Sequence, residues 1–428
     1  MEGPADDSGA LTMKNMRGDS SYLRRVNSVA VLRVLHEGDA YTLTSLAKAA
    51  GVSRPTCEES VNDLIAQGWI AEAEADSSGQ RQPGRPAKRF RFRTDAAYVA
   101  GVDIGAHKIL ALLTDLSGQV IASCRAAVRP DLGAEERLAV ARRTVTGAMD
   151  AAPGADPRSL LAVVTGTPGV IDAQGNVLAS TVMPQWTGLP LGERSRRFFG
   201  ILTQGGRGAW TAVENDMKLA ALAEHWRGAA RGTDDVVYLH AGYRMGAAAL
   251  IGGRPHRGRH GAAGEVGSLA ILDWANTYRQ LQSYDPPLGE ATEQIERIFA
   301  AAGVGNDARA TDLVDAFARD MANGLAAMVL SLDPEIVVLG GGISQAGAAL
   351  LNPVRKHLEA QCLFPPRLVV STLGDEAVAL GAVRLCLDEI ERQLFDSETH
   401  LLDAPRSGDP ASAQGATEVG GRPESASR

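Results

Sequence analysis

The chain predicts an α/β protein in two parts, a winged helix-turn-helix followed by a two-lobed domain. Three observations carry that reading. An apolar run from Tyr98 ends at Asp103-Ile104-Gly105, and a second run, Ile109 to Leu113, leads into a turn at Leu116-Ser117-Gly118. This is the pattern of a β-hairpin whose tight turn presents backbone N–H groups to an anion. The same layout recurs from Val236 to Gly246, followed by Ala247 to Ile251 and Gly252-Gly253, so the lobes read as a repeat closing on a shared cleft. Ahead of both hairpins, short helical segments are followed by a strongly basic strand.

The bounds agree with this division. A chain of 428 residues allows about two to four domains, and 45% hydrophobic with 22% charged residues is ordinary for a protein with a real core. No apolar run approaches the ~18 residues of a membrane span, and the polar N-terminal stretch has no signal-like apolar segment. The four cysteines, Cys57, Cys124, Cys362 and Cys386, lie far apart without paired spacing. That spacing speaks against a disulfide framework or a zinc knuckle and fits a reducing cytoplasm. A net charge of −8 discourages nucleic-acid binding by the chain as a whole, but the charge is unevenly spread.

In chain order, residues 1–19 are small and polar and are expected to be disordered. A winged helix-turn-helix is expected over 20–95. Val29, Leu32, Val34 and Leu35 give a buried face to a helix over Arg24–Glu37. Thr44–Ala50 forms a second helix, ended by Gly51-Val52-Ser53. Ser53 then caps a third, running to about Gln67 with Val61, Leu64 and Ile65 inward. A Gly-containing turn between two short helices makes a helix-turn-helix. Trp69–Glu72 and Lys88–Arg93 read as strands around a loop from Asp76 to Pro83, forming a wing.

Arg81, Arg85, Lys88, Arg89, Arg91 and Arg93 lie in or beside that wing, with no acidic residue between Asp76 and Asp95. Taken alone, such a run also has a bland reading as a charged, solvated hairpin. Placed after a helix-turn-helix, it is an electrostatic footprint for phosphate. Gly84-Arg85-Pro86 resembles segments that lay an arginine into a narrow minor groove. The DNA-binding set is therefore Arg54, Pro55, Thr56, Ser60, Arg81, Arg85, Lys88 and Arg89, with Arg54, Thr56 and Ser60 expected to face the groove. Glu58 and Glu59 either accept from cytosine amino groups or face solvent, and Cys57 reads as a small core residue.

The two-lobed domain is expected over 96–395. Helices are expected at Ala134–Ala151, Met217–Arg227, Ala310–Ser331, Pro353–Gln361 and Ala377 to about Phe395. Strands are expected at Leu160–Thr165, Ala209–Glu214, Ile336–Leu339 and Leu368–Val370. Residues 396–428, rich in Ser, Gly, Pro and Asp, read as a disordered tail.

The landmarks of this second part are Asp103-Ile104-Gly105, Gly166-Thr167-Pro168-Gly169, Trp186, Glu214-Asn215-Asp216, Gly264-Glu265-Val266-Gly267, Leu339-Gly340-Gly341-Gly342 and Leu380-Gly381-Ala382. In their order and spacing the chain resembles the ROK family of repressors, open reading frames and sugar kinases, and within it the transcriptional regulators. The resemblance spans about residues 20 to 395. It implies an actin-like, sugar-kinase (ASKHA) fold for the two lobes. It also implies that Asp216 stands where the kinases keep their general base, that Asn215 and Glu265 hold sugar hydroxyls, and that the glycine-rich hairpins and Gly340 to Gly342 hold ATP.

The chain departs from the kinase pattern at chemically telling places. Where the resemblance implies Asp-x-Gly-Gly-Thr, it reads Asp103-Ile104-Gly105-Ala106-His107, and for Gly-Thr-Gly it reads Gly242-Tyr243-Arg244. Side chains there occupy the space a phosphate needs. The zinc site of many relatives has no counterpart: its histidine is Ser268, and Leu269 to Glu290 contains no cysteine. His256 and His260 lie in an Arg/Gly/Pro segment unsuited to the helix that would pair them.

The sequence thus reads as a DNA-binding regulator without catalytic residues, metal or cofactor. Asn215, Asp216 and Glu265 are its candidate ligand residues for a sugar-like effector, although Asn215 and Asp216 could equally serve only as helix caps. Its expected partner is double-stranded DNA bearing an inverted repeat, read by a homodimer or homotetramer in the cytoplasm at the nucleoid. The competing readings are an ATP-dependent sugar kinase and a ligand-independent DNA-binding regulator.

Overall fold

The computed structural model describes residues 20–73, 87–203, 208–242, 244–272, 274–284, 291–303 and 307–396. The expectations of disorder for 1–19 and for the tail from 397 onward lie outside these residues, as do the wing loop with Arg81 and Arg85, and also Tyr243 and Glu290. The chain groups into two compact units. The first comprises residues 1–97, 153–159 and 391–428; the second comprises 98–152 and 160–390.

The first unit contains α1 (Ser20–Glu37), β1 (Tyr41–Thr42), α2 (Leu43–Ala50), α3 (Arg54–Ala66), β2 (Ile70–Ala73) and β3 (Arg89–Phe92). Its boundaries follow from local chemistry. Thr42 caps α2 by accepting from the Ser45 amide, and Gly51 ends it in the left-handed conformation at φ 69°. Ser53 caps α3 through the Thr56 amide. The three strands form an antiparallel sheet in the order β1-β3-β2. β1 was not anticipated, because a two-residue strand carries no periodicity. Leu32, Leu35, Leu46, Cys57, Leu64 and Trp69 are all buried at 1% exposure or less. The Trp69 ring stacks on Phe92 with centroids 6.4 Å apart. His36 meets Phe92 edge-on at 5.1 Å and Phe395 at 5.3 Å.

The second unit is built from one plan used twice. The first lobe holds β4 (Tyr98–Ile104), β5 (Lys108–Asp115), β6 (Val120–Ala127), α4 (Ala134–Asp150), β7 (Leu160–Thr167), β8 (Val170–Ile171), β9 (Val177–Ala179), α5 (Leu191–Leu202), β10 (Trp210–Asn215) and α6 (Asp216–Arg227). The second holds β11 (Val236–His240), β12 (Gly246–Ile251), β13 (Arg254–Pro255), α7 (Trp274–Gln282), α8 (Ala291–Gly303), α9 (Ala308–Leu332), β14 (Ile336–Gly340), α10 (Ala348–Glu359), β15 (Arg367–Val370) and α11 (Ala377–Leu394).

Among the described residues each lobe has one five-stranded sheet, ordered β10-β7-β4-β5-β6 and β13-β12-β11-β14-β15. In both, a hairpin and its third strand pair antiparallel, and the later strands add in parallel on the other side. The sequence repeat therefore reports a repeated topology. β4 and β7 are buried along almost their whole length, as expected for strands covered on both faces. α10 begins at Ala348 rather than at Pro353, which sits inside the helix. Among the described residues no helix is long and apolar enough to cross a membrane.

The helix α11 packs at backbone distance, and glycines make this possible. A Cβ on Gly101 would lie 2.1 Å from the Ala379 carbonyl oxygen, and one on Gly381 would lie 1.8 Å from that of Leu219 in α6. Gly381→Ala is expected to lower stability in urea by about 1–3 kcal/mol, as overpacking does. Gly342→Ala, with nothing within 4 Å of the new methyl, is expected to leave the midpoint unchanged. Equal midpoints for the two variants would refute this account of α11 packing.

Candidate functional site

Two places bear on function, one in each unit. In the first, α3 presents Arg54 and Pro55 exposed and Thr56 partly exposed at its N-terminal turn. That turn contains no acidic residue, so its positive dipole end and the exposed Arg54 side chain suit a phosphate. Ser60 corrects the sequence expectation: it is 2% exposed and belongs to the inward face with Cys57, Val61 and Leu64. Glu59 is paired with Arg24 of α1, and Glu58 is exposed.

On the wing, Lys88 is exposed and pairs with Glu72 at 2.7 Å. Arg89 turns inward, donating through Nε and Nη2 to the Ala40 carbonyl at 3.2 and 2.5 Å. Arg93 donates to the Gly68 carbonyl at 3.3 Å, while Arg91 is exposed. Part of the basic run therefore holds the wing to its own domain.

In the second unit, Asn215, Asp216 and Glu265 line a single cleft of about 790 Å³ together with Ser180, Thr181, Arg244 and Ser268. The floor is assembled by a chain of polar contacts. The Trp186 indole N–H donates to Thr167 Oγ1 at 2.9 Å, and that hydroxyl donates to the Ile104 carbonyl at 3.3 Å. Asn215 ends β10 and caps α6, its Oδ1 accepting from the Lys218 amide at 3.1 Å. Its Nδ2 donates to the Gly169 carbonyl at 3.0 Å and to Asp216 Oδ1 at 3.2 Å. Asp216 Oδ1 also accepts from the Met217 amide at 2.9 Å. Capping and cleft-lining are thus combined in the same residues, not alternatives.

The loop bearing Glu265 is fixed by residues that no sequence motif marks. Lys218, 1% exposed, donates from Nζ to the Gly261 carbonyl at 2.7 Å. Arg257 pairs with buried Glu214. Trp274 is wedged between Gly267 and Gly324, where added Cβ atoms would approach its ring at 3.2 and 2.2 Å. Its indole N–H donates to the Asp320 carbonyl at 3.0 Å. No local pattern marks these side chains, because their partners are remote in sequence.

The hairpins are held from behind. Gly105 donates its amide to the Lys108 carbonyl at 2.9 Å. The fully buried Arg137 of α4 donates to the carbonyls of Gly105, Ala106 and Arg129 at 2.6, 3.1 and 2.9 Å. The His107 side chain is exposed and is not among the cleft-lining groups. At the third glycine cluster, the Tyr238 hydroxyl would lie 2.1 Å from a Cβ on Gly340, so the tyrosine occupies that space.

Electrostatically the cleft is crowded with carboxylates. Burial, then the charges of Asp103 and Glu265, raise Asp216 to about 7. Burial likewise raises Asp103 to about 6, against the pull of Lys108 3.6 Å away. His240, pushed down to about 4 by burial and then by Lys108, is uncharged at neutral pH. Among the described residues no cation pairs with Asp216.

Asp216 therefore holds a proton in the folded protein that an unfolded chain, with a value of ~3.9, releases. Stability should fall as pH rises from about 4 to 7. Asp216→Asn removes that loss: the unliganded variant is expected to be more stable than the parent at pH 8 and to show a shallower dependence of its urea midpoint below it. A variant less stable at pH 8 would contradict the assigned cause.

Comparison with known proteins places this geometry. The ROK family model matches residues 99–279 and 270–389. The chain is 23% identical over 404 residues to the xylose repressor of Caldicellulosiruptor bescii, covering 87% of this chain and 98% of that one. A solved ROK family transcriptional regulator, homologous to the Escherichia coli MLC protein, superposes with a TM-score of 0.65 at 21% identity, covering 88% of this chain and 100% of that chain. The ROK hexokinase of Thermus thermophilus superposes with a TM-score of 0.55 at 29% identity, covering 69% of this chain and 99% of that chain. With the family pattern matched over more than half its length, the chain belongs to the ROK family.

Proposed function

We propose that this protein is a sequence-specific DNA-binding transcriptional regulator, acting as a repressor, whose two-lobed unit senses a sugar or sugar derivative. The observation that carries the reading is the extent of its likeness. The repressor and regulator relatives match across nearly the whole chain, whereas the hexokinase leaves about a third unmatched. The winged unit supplies an exposed Arg54 and an acid-free helix N-terminus for the DNA backbone and groove. The cleft supplies an amide and two carboxylates for hydroxyl groups.

In this reading the protein works in the cytoplasm at the nucleoid, as a homodimer or homotetramer on an inverted repeat, because a two-fold assembly matches a two-fold site. The effector acts by binding better to one arrangement of the assembly than to another.

Phosphotransfer is the second reading, and Asp216 favours it: a carboxyl titrating near 7 suits a general base. Against it stand the imidazole of His107 in the first hairpin and Tyr243-Arg244 in the second, where phosphate binding needs open backbone. Tyr238 also fills the space beside Gly340. The regulator reading has no catalytic residue, metal or cofactor.

The test is binding of purified protein to DNA upstream of its own gene and to genome-wide selected fragments, across a salt series. Tight, salt-sensitive, sequence-selective binding is expected. Arg54→Ala should weaken it about tenfold. A sugar panel should identify a compound that releases the wild type and leaves Asp216→Asn on its operator. Absence of any sequence preference would overturn the regulator reading. Sugar phosphorylation lost in Asp216→Asn would establish the kinase.

A further inference from the structure

We propose that the cleft takes an anionic polyol, a sugar bearing a carboxylate or phosphate group. Its hydroxyls would lie on Asn215, Asp216 and Glu265 and its anion between Arg244 and Arg279. The proposal rests on the reading of this cleft as an effector site and specifies what that site selects.

Two arginines line the cleft, and both are exposed. Two other arginines of this unit are committed elsewhere. Arg257 pairs with Glu214, and Arg137 is buried among backbone carbonyls. Arg244 makes one side-chain hydrogen bond, from Nη1 to Thr181 Oγ1 at 3.1 Å, linking the second hairpin to the segment after β9. Neither Arg244 nor Arg279 pairs with a carboxylate among the described residues.

The nearby acids are governed by other groups. Asp216 responds to Asp103 and Glu265, and Glu265 to Lys218. Neither guanidinium is a salt-bridge partner of Asp216 or Glu265 among the described residues. Unpaired guanidinium groups in a concave site offer planar, multiply donating recognition of carboxylate or phosphate. The second hairpin thereby exchanges phosphate recognition by backbone for recognition by side chain.

The proposal is tested by calorimetry on the full chain at fixed physiological salt. Glucose and galactose are compared with glucuronate and galacturonate, and with the two 6-phosphates. An acid or a phosphate is expected to bind at least about tenfold more tightly than its neutral parent, the margin of one charge-assisted contact. The uronate and phosphate arms decide which anion is selected. Arg244→Ala and Arg279→Ala should abolish the preference for the anionic compound over its neutral parent. Both residues are exposed, so melting curves should match the parent.

Equal binding of neutral and anionic partners overturns the anion subsite, as does a preference that survives both substitutions. If that binding is still lost in Asp216→Asn, the effector reading stands. Binding by no compound of either kind overturns the subsite and the effector reading together.

Discussion

The second unit gathers carboxylates around the start of α6, with Asp103 buried, Asp216 partly buried and Glu265 exposed. Asp216 sits where burial disfavours its ionised form, and Asp103 and Glu265 add repulsion. The cation nearest in sequence, Lys218, is turned to the Gly261 carbonyl instead. Removing a carboxylate from water without a counter-charge is costly, and here the cost is limited by keeping Asp216 partly protonated and by the Met217 amide and Asn215 side chain. Lys218 meanwhile keeps the Glu265 loop near the acids, so the same lysine that fails to neutralise Asp216 helps build the wall opposite it.

The repeated sheet explains how one fold can keep a cleft floor while its hairpins change. The floor residues are fixed by main-chain register: Asn215 pairs with Thr167 across β10 and β7, and Asp103 with Gly166 across β4 and β7. The hairpin turns lie beyond these ladders. Their side chains can be exchanged without moving a strand, provided that the turn is supported, as Arg137 supports the first. Trp274 gives comparable support to the segment after Glu265, filling the gap between Gly267 and Gly324.

Much of this was legible because it is local. Glycine punctuation and apolar runs mark the hairpins, and the order of short motifs singles out Asn215, Asp216 and Glu265, which line one cleft. Ser60 was misplaced although the signal was present. It lies three residues after Cys57 and four before Leu64, the spacing of a buried helical stripe, and its polarity was allowed to outweigh its phase. β6 was missed because a half-exposed strand of small and polar residues carries little apolar contrast, whereas α5 went unread although its sequence is amphipathic at helical spacing. The inward turn of Arg89, the burial of Lys218 and the wedge of Trp274 depend on partners far along the chain, which pattern alone does not reveal.

The last helix has a consequence for how the protein is made. α11 begins in the second unit, but its end belongs to the first, where Phe395 lies against His36 and under Arg33. The winged unit is therefore discontinuous in the chain. During synthesis α1 to β3 leave the ribosome first, yet Phe395 can reach Arg33 and His36 of α1 only after the whole two-lobed unit has been translated. The nascent DNA-binding head is thus completed last, after the sensing unit that separates its first and last pieces.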